Sequence, residues 1–207
     1  MRAFESLQGY SYFSAETNVL DTNQLIEIRW HGRGGQGAVT SAELLAKAAI
    51  SEGKYAQAFP SFGPERRGAP VLAFVRINSR EPIKVRAEIT QPDIVVVLDP
   101  GLLSIVNVTA GLKPKGTLVI NSRRSFEDIE ALFKAKCRLA KVDATTIARE
   151  VLGVMVTNTT MIGALLKAVG VVKLESLVEP LNQRFGRLAE RNIKAMQKAY
   201  EETTVRE

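Results

Sequence analysis
The chain has 207 residues, 45% hydrophobic and 24% charged, enough for one good core and short of the size at which chains divide. One cysteine (Cys137) and one histidine (His31) exclude an internal disulfide, a cysteine-held iron–sulfur cluster or zinc, and a histidine-based metal site within the chain, and no apolar run approaches the roughly 20 residues of a membrane span. The net charge of +6 suits an anionic cofactor or an acidic partner; nucleic acid fits poorly, because the basic residues are dispersed and no aromatic–basic platform accompanies them.

Residues 1–24 are mildly acidic, with scattered aromatics (Phe4, Tyr10, Tyr12, Phe13), no sustained period and no apolar core of a signal peptide. They predict an extension that lies on a neighbour or is poorly ordered. Domain structure starts at residue 25 and runs to 207. Ile26, Ile28 and Trp30 alternate with Glu27 and Arg29, the period of a half-buried strand. Four glycines then crowd residues 32–37, and Ala42, Leu45, Ala46, Ala49 and Ile50 follow at helical spacing. A glycine loop feeding a helix N-terminus presents free N–H groups to an anion. Gly32, Gly34 and Gly37 match G-x-G-x-x-G, but a dinucleotide site also wants an acid at the end of the second strand. Residues 54–58 supply none, and Glu52 lies on the helix side of Gly53. No Gly-Lys-Ser/Thr follows, so a P-loop is excluded. Two readings stay open for the glycines: an anion loop, or a tight turn without a ligand.

Thr40 and Glu43 form a capping box that predicts a helix start at Thr40, and Gly53 predicts its stop. A short strand at residues 55–58 leads into a loop, 59–70, with three prolines and two glycines. It also carries Phe59, Phe62, Glu65, Arg66 and Arg67. Those phenylalanines either anchor a surface loop in the core or, with the arginine forks, meet a partner or anionic ligand; the contact reading is preferred. Residues 71–77 read as a strand, 78–82 as a turn and 83–86 as the returning hairpin arm. Residues 94–98 are uniformly apolar, as in a strand covered on both faces. Asp99 after them either faces a ligand or caps the turn at Leu102.

Residues 117–120 are another buried strand. Ser125 and Asp128 box a helix carrying Phe126, Ile129, Leu132 and Phe133. Residues 139–142 form a strand, Asp143 caps a helix through Val151, and 154–156 are extended. Asn158 and Thr159 open a helix stopped by Gly170, and helices at 174–182 and 187–200 finish the chain. Strands alternating with helices predict one α/β domain, three-layered around a mostly parallel, mixed sheet, with a helical C-terminal tail. Cys137 reads as a buried, inert thiol, in keeping with a reducing cytoplasm.

Three runs carry a family resemblance: residues 32–37 (Gly-Arg-Gly-Gly-Gln-Gly), residues 55–70 (with Phe-Gly-Pro-Glu-Arg-Arg-Gly-Ala-Pro), and Asn158-Thr159 followed by Met161 and Gly163. In order, over about residues 25–202, the chain closely resembles the gamma subunits of 2-oxoacid:ferredoxin oxidoreductases. Its middle motif looks like the pyruvate and branched-chain branches; the 2-oxoglutarate type tends to carry Tyr and Met there. The extension 1–24 departs from the family, as does Lys173, where a serine cap is usual.

The resemblance implies a multi-subunit enzyme that decarboxylates a 2-oxoacid on thiamine diphosphate, reduces ferredoxin through iron–sulfur clusters, and forms an acyl-CoA. Thiamine diphosphate with Mg would sit between alpha and beta subunits and the clusters in beta and delta. The gamma chain would hold no cofactor alone and would frame the coenzyme A route. It further implies that Gly32, Arg33, Gly34, Gly35, Gln36 and Gly37 take a CoA phosphate. Asn158 and Thr159 would face the same cleft, and Arg66 and Arg67 would hold either that anion or a partner's acid. No thiamine-type Gly-Asp-Gly run occurs in the chain, which agrees. A free-standing dinucleotide-binding protein and a pure assembly module are the competing readings.

Overall fold
The computed structural model describes residues 25–61, 68–133 and 136–207. Strands β1 (Ile26–Arg33), β2 (Tyr55–Pro60), β3 (Pro70–Asn78), β4 (Ile94–Val97), β5 (Thr117–Asn121), β6 (Arg138–Val142) and β7 (Thr204–Arg206) form one sheet in the order β2-β3-β1-β4-β5-β6-β7. The four central strands β1, β4, β5 and β6 run parallel; β3 and β7 pair antiparallel on either side, and β2 pairs antiparallel with β3. The helices are α1 (Ala38–Ser51), α2 (Phe126–Glu130), α3 (Ala144–Leu152), α4 (Asn158–Val169), α5 (Val178–Phe185) and α6 (Ala189–Glu202).

Strand alternation divides the apolar residues between two layers. Ile28, Trp30, Val75, Ile94, Val96, Val119 and Ala140 pack with α1, α4 and α6. Val95, Val97, Leu118, Ile120 and Leu139 pack on the other face with Leu102, Val108 and Ile129. This explains why β4 is apolar throughout. α4 is buried on all sides, eleven of its twelve residues, because it lies between the sheet and α6. The C-terminal helices do form, yet they are no appendage: Met196 and Ala199 of α6 are fully buried, and the chain returns to the sheet as β7, which sequence pattern alone does not reveal.

Over β1 and β3 the second face turns polar. Arg29 and Arg76 are 7% and 4% exposed. Arg29 donates to the carbonyls of Ile89, Val108 and Ala110, and to His31 Nε2 at 3.0 Å. Arg76 pairs with Glu27 at 2.9 Å and donates to the carbonyls of Val85 and Ala87. Guanidinium groups therefore pin the irregular segments 79–93 and 105–115 across this part of the sheet. Two sequence expectations change here. Residues 83–86 are not a hairpin arm, since no strand pairs with them among the described residues. α2 ends at Glu130, so Leu132 and Phe133 lie beyond it. The local caps hold: Ser125 accepts from the Asp128 amide and Asp143 from the Thr146 amide.

Candidate functional site
β1 runs three residues past Trp30, through Arg33, so the turn occupies only residues 34–37 and α1 starts at Ala38. The residue before it is Gly37 at φ +83°, a backbone that an L side chain adopts only under strain. The predicted cap at Thr40 is therefore incorrect. Thr40 sits inside the first turn, and its hydroxyl accepts from Arg184 at 3.4 Å.

The loop is closed by its own side chains. Gln36 Oε1 accepts from the Arg33 amide (2.7 Å), and Gln36 Nε2 donates to Asp99 Oδ2 (2.9 Å). Arg33 Nε meets the same carboxylate oxygen at 2.8 Å. Asp99 Oδ1 also accepts from the Gly101 amide, capping the 3-10 turn Pro100–Ser104. So Asp99 both caps and faces the loop. Burial pushes its carboxyl up, but the bonds from Gln36, Gly101 and Arg33, with the Arg33 charge, outweigh that and hold it below the usual carboxylate range. Gly34 exchanges backbone bonds with Ala69 and Gly68, and Arg33 reaches the Gly68 carbonyl. The end of the proline-rich loop is thus tied to the glycine loop. Gly35 is exposed, at φ +94°, with open space where a Cβ would stand. Gly32 is buried beside Leu98 and Ala38.

α4 brings its N-terminus to the same place. A Cβ on Gly37 would lie 2.8 Å from Asn158 Nδ2, and Ser41 Oγ donates to the Asn158 carbonyl at 3.1 Å. Asn158 is a buried residue, and its side-chain amide has no hydrogen-bond partner among the described residues. Thr159 behaves differently: it is fully buried, and its hydroxyl is bonded to Asn192 Oδ1 at 2.9 Å, so it fixes α4 to α6 rather than facing a cleft. Phe59 is also a core residue, 2% exposed, with its ring 5.3 Å from that of Phe74; the core-anchor reading replaces the contact reading for it. Phe62, Glu65, Arg66 and Arg67 lie outside the described residues.

Beside Arg33 and Gly101, a crevice of about 470 Å³ opens at the carboxyl ends of β4, β5 and β6. Asn121, Ser122, Arg123, Arg124, Asp143 and Thr145 line it. Arg123 is held by Asp143 at 2.6 Å, whereas Arg124 is exposed and has no acidic partner among the described residues. Carboxyl ends of parallel strands are where open α/β sheets bind ligands, and a basic pair directly after a buried strand was the available signal for these residues. Among the described residues no group of three or more His, Cys, Asp or Glu side chains could hold a metal ion, and no helix is long and apolar enough to cross a membrane. Burial and Glu130 push the Cys137 thiol up, which leaves it a poor nucleophile.

Residues 27–202 match the family described as pyruvate ferredoxin/flavodoxin oxidoreductase. The pyruvate/ketoisovalerate oxidoreductases common subunit gamma of Pyrococcus furiosus is 56% identical over 183 residues, 87% of this chain and 98% of the relative. Pyruvate synthase subunit PorC of Methanothermobacter marburgensis is 49% identical, over 86% of this chain and 97% of that one. The crystal structure of the pyruvate oxidoreductase subunit PORC of Thermotoga maritima superimposes with a TM-score of 0.80 at 38% identity, covering 89% of this chain and 99% of the other. With an α/β fold shared with that subunit, and a glycine loop and sheet present over the whole matched span, this chain belongs to the pyruvate ferredoxin/flavodoxin oxidoreductase family.

Proposed function
We infer that the chain is the gamma subunit of a cytoplasmic pyruvate or branched-chain 2-oxoacid:ferredoxin oxidoreductase. That complex converts a 2-oxoacid, CoA and oxidised ferredoxin to an acyl-CoA, CO2 and reduced ferredoxin. On this reading it assembles with alpha, beta and delta subunits, and thiamine diphosphate with Mg and the iron–sulfur clusters belong to those subunits. The shared pyruvate and ketoisovalerate name of the Pyrococcus relative supports the breadth of substrate.

Within the chain, one observation carries a CoA role: the side-chain amide of Asn158, without a hydrogen-bond partner among the described residues, stands where the N-termini of α1 and α4 converge on Gly37. The amides of the first turn of α1 have no acceptors within the helix, so the dipole and these donors favour a phosphate there. Asn158 adds a neutral donor. Arg33 is held in place by Asp99, and Arg124, without an acidic partner among the described residues, supplies a charge along the adjoining crevice. Arg66 and Arg67 stay candidates for the same anion or for an acid on a partner subunit. A nicotinamide dinucleotide fits less well. β3 lies between β1 and β2, so the strand after α1 does not sit beside β1 as in a dinucleotide fold.

In the assembled complex, Gly35→Val and Arg124→Ala should each raise the apparent CoA constant, roughly ten- to a hundredfold for a lost charge-assisted bond or imposed backbone strain. Reduction of the enzyme by 2-oxoacid without CoA should survive. Unchanged CoA dependence with a collapse in complex yield would make these residues assembly elements instead. The chain expressed alone should oxidise no 2-oxoacid.

A further inference from the structure
Buried backbone donors and acceptors are almost always paired within the protein, whereas exposed ones are left to water or to a partner. Residues 82–88 make no backbone–backbone hydrogen bond among the described residues. Their carbonyls instead follow a strict alternation. Ile83 accepts from Gln57, Val85 and Ala87 from Arg76, and Ile89 from Arg29. Taking every second carbonyl inward is the geometry of an extended strand, and it turns the N–H and C=O groups of Lys84 and Arg86 outward. Lys84, Val85 and Arg86 are all exposed, Val85 by 58%. The sequence Ile-Lys-Val-Arg has strand character, yet it has side-chain tethers on one edge and, among the described residues, no partner on the other.

We propose that residues 83–87 are a docking strand for an extended, acidic segment of another subunit, which pairs along the Lys84–Arg86 edge. This rests on the subunit reading above. The acidic character follows from charge: Arg80, Lys84 and Arg86 have no carboxylate partner among the described residues, whereas Arg76 and Lys113 just beneath are paired. A second copy of this chain is a poor occupant, because an antiparallel self-pair centred on Val85 sets Lys84 opposite Arg86, a like-charge contact. Main-chain bonds supply affinity in such strand additions, and the flanking charges select the partner.

Hydrogen exchange on the lone chain and on the purified complex tests this. Exchange at the Lys84 and Arg86 amides should slow at least tenfold on assembly. Proline removes a donor, so Lys84→Pro and Arg86→Pro should weaken assembly about tenfold beyond Lys84→Ala and Arg86→Ala, for one lost bond each. Val85→Pro, whose amide points inward, should assemble normally. A complex that forms with these amides exchanging as fast as in the lone chain overturns the docking strand and leaves the subunit reading standing. Failure to copurify with any oxidoreductase subunit overturns both. Protection already present in the lone chain overturns the partner proposal as well. If deleting residues 1–23 removes it, the occupant is the chain's own extension; if it scales with concentration, the occupant is a second copy.

Discussion

Gly163→Ala should destabilise the chain by about 3 kcal/mol or more, the top of the usual range for overpacking. Gly163 is in the middle of α4 and faces α6. A Cβ there would lie 2.0 Å from the Met196 carbonyl oxygen and 2.9 Å from its carbon. Both are backbone atoms, so no side-chain rotation on α6 relieves the clash; the helices must part. α4 cannot retreat, because Met161, Ile162 and Leu165 fill the space toward its neighbours with no exposure. Parting the helices also stretches the Thr159–Asn192 bond of 2.9 Å. Alanine's better helix propensity returns only about 1 kcal/mol. For a chain of this length the melting temperature should fall by roughly 6–12 °C or more at 2–4 °C per kcal/mol. A melting temperature within two or three degrees of the parent would show that α4 and α6 separate easily and that the close approach is not a structural requirement.

The second large effect is an acid-side loss of stability set by His31. Its side chain is 6% exposed. Desolvation, and then the Arg29 charge, push its pKa down from 6.5 to about 3. Arg29 Nε donates to His31 Nε2, so protonating that nitrogen would remove the acceptor and place two cations in contact. The unfolded chain binds this proton below about pH 6.5, and the folded chain binds it only near pH 3. Stability is therefore complete above the unfolded value and is lost as the pH falls toward the folded one. The loss is up to about 1.4 kcal/mol per pH unit. Carboxylates held low by their donors, such as Glu52, Asp99 and Asp143, add their own loss only below about pH 5. Urea midpoints measured between about pH 6.5 and about pH 5 isolate the histidine. His31→Gln, which keeps an acceptor for Arg29 without a titrating group, should flatten that slope. A parent protein whose midpoint does not move across this window would contradict a buried neutral His31.

What was legible in the sequence was local. The run Ile94–Leu98 reads as a doubly covered strand because both faces are apolar, and Ser125 and Asp143 read as caps because a cap and its amide are three residues apart. What was illegible depends on contacts distant along the chain. Arg29 alternates with apolar residues and so looks like a solvent-side position; its ligands, the carbonyls of Ile89, Val108 and Ala110, are 60 to 81 residues away. Residues 83–86 have strand composition, but composition does not say whether a partner exists. The predicted cap at Thr40 failed because the length of β1, set by its pairing with β3 out to Pro70, moved the turn. The glycine loop was visible, whereas Arg123 and Arg124 became site residues only once β4, β5 and β6 stood side by side.

The arginine-pinned layer over β1 and β3 has a thermodynamic consequence. A helix leaving the other face exposes Leu, Ile and Met, and the hydration of that apolar surface raises the heat capacity. Segments 79–93 and 105–115 are attached chiefly through guanidinium and ammonium contacts, with Ile89 and Val108 among their few fully covered apolar side chains. Lifting them off uncovers mostly polar groups, whose hydration lowers the heat capacity and offsets the small apolar part. The free energy of that opening is then nearly a straight line in temperature, while that of the whole domain is a curved dome. Near the top of the dome the layer should open at lower cost than the whole domain, and on strong cooling the two energies should converge, so that detachment and global unfolding merge into one event.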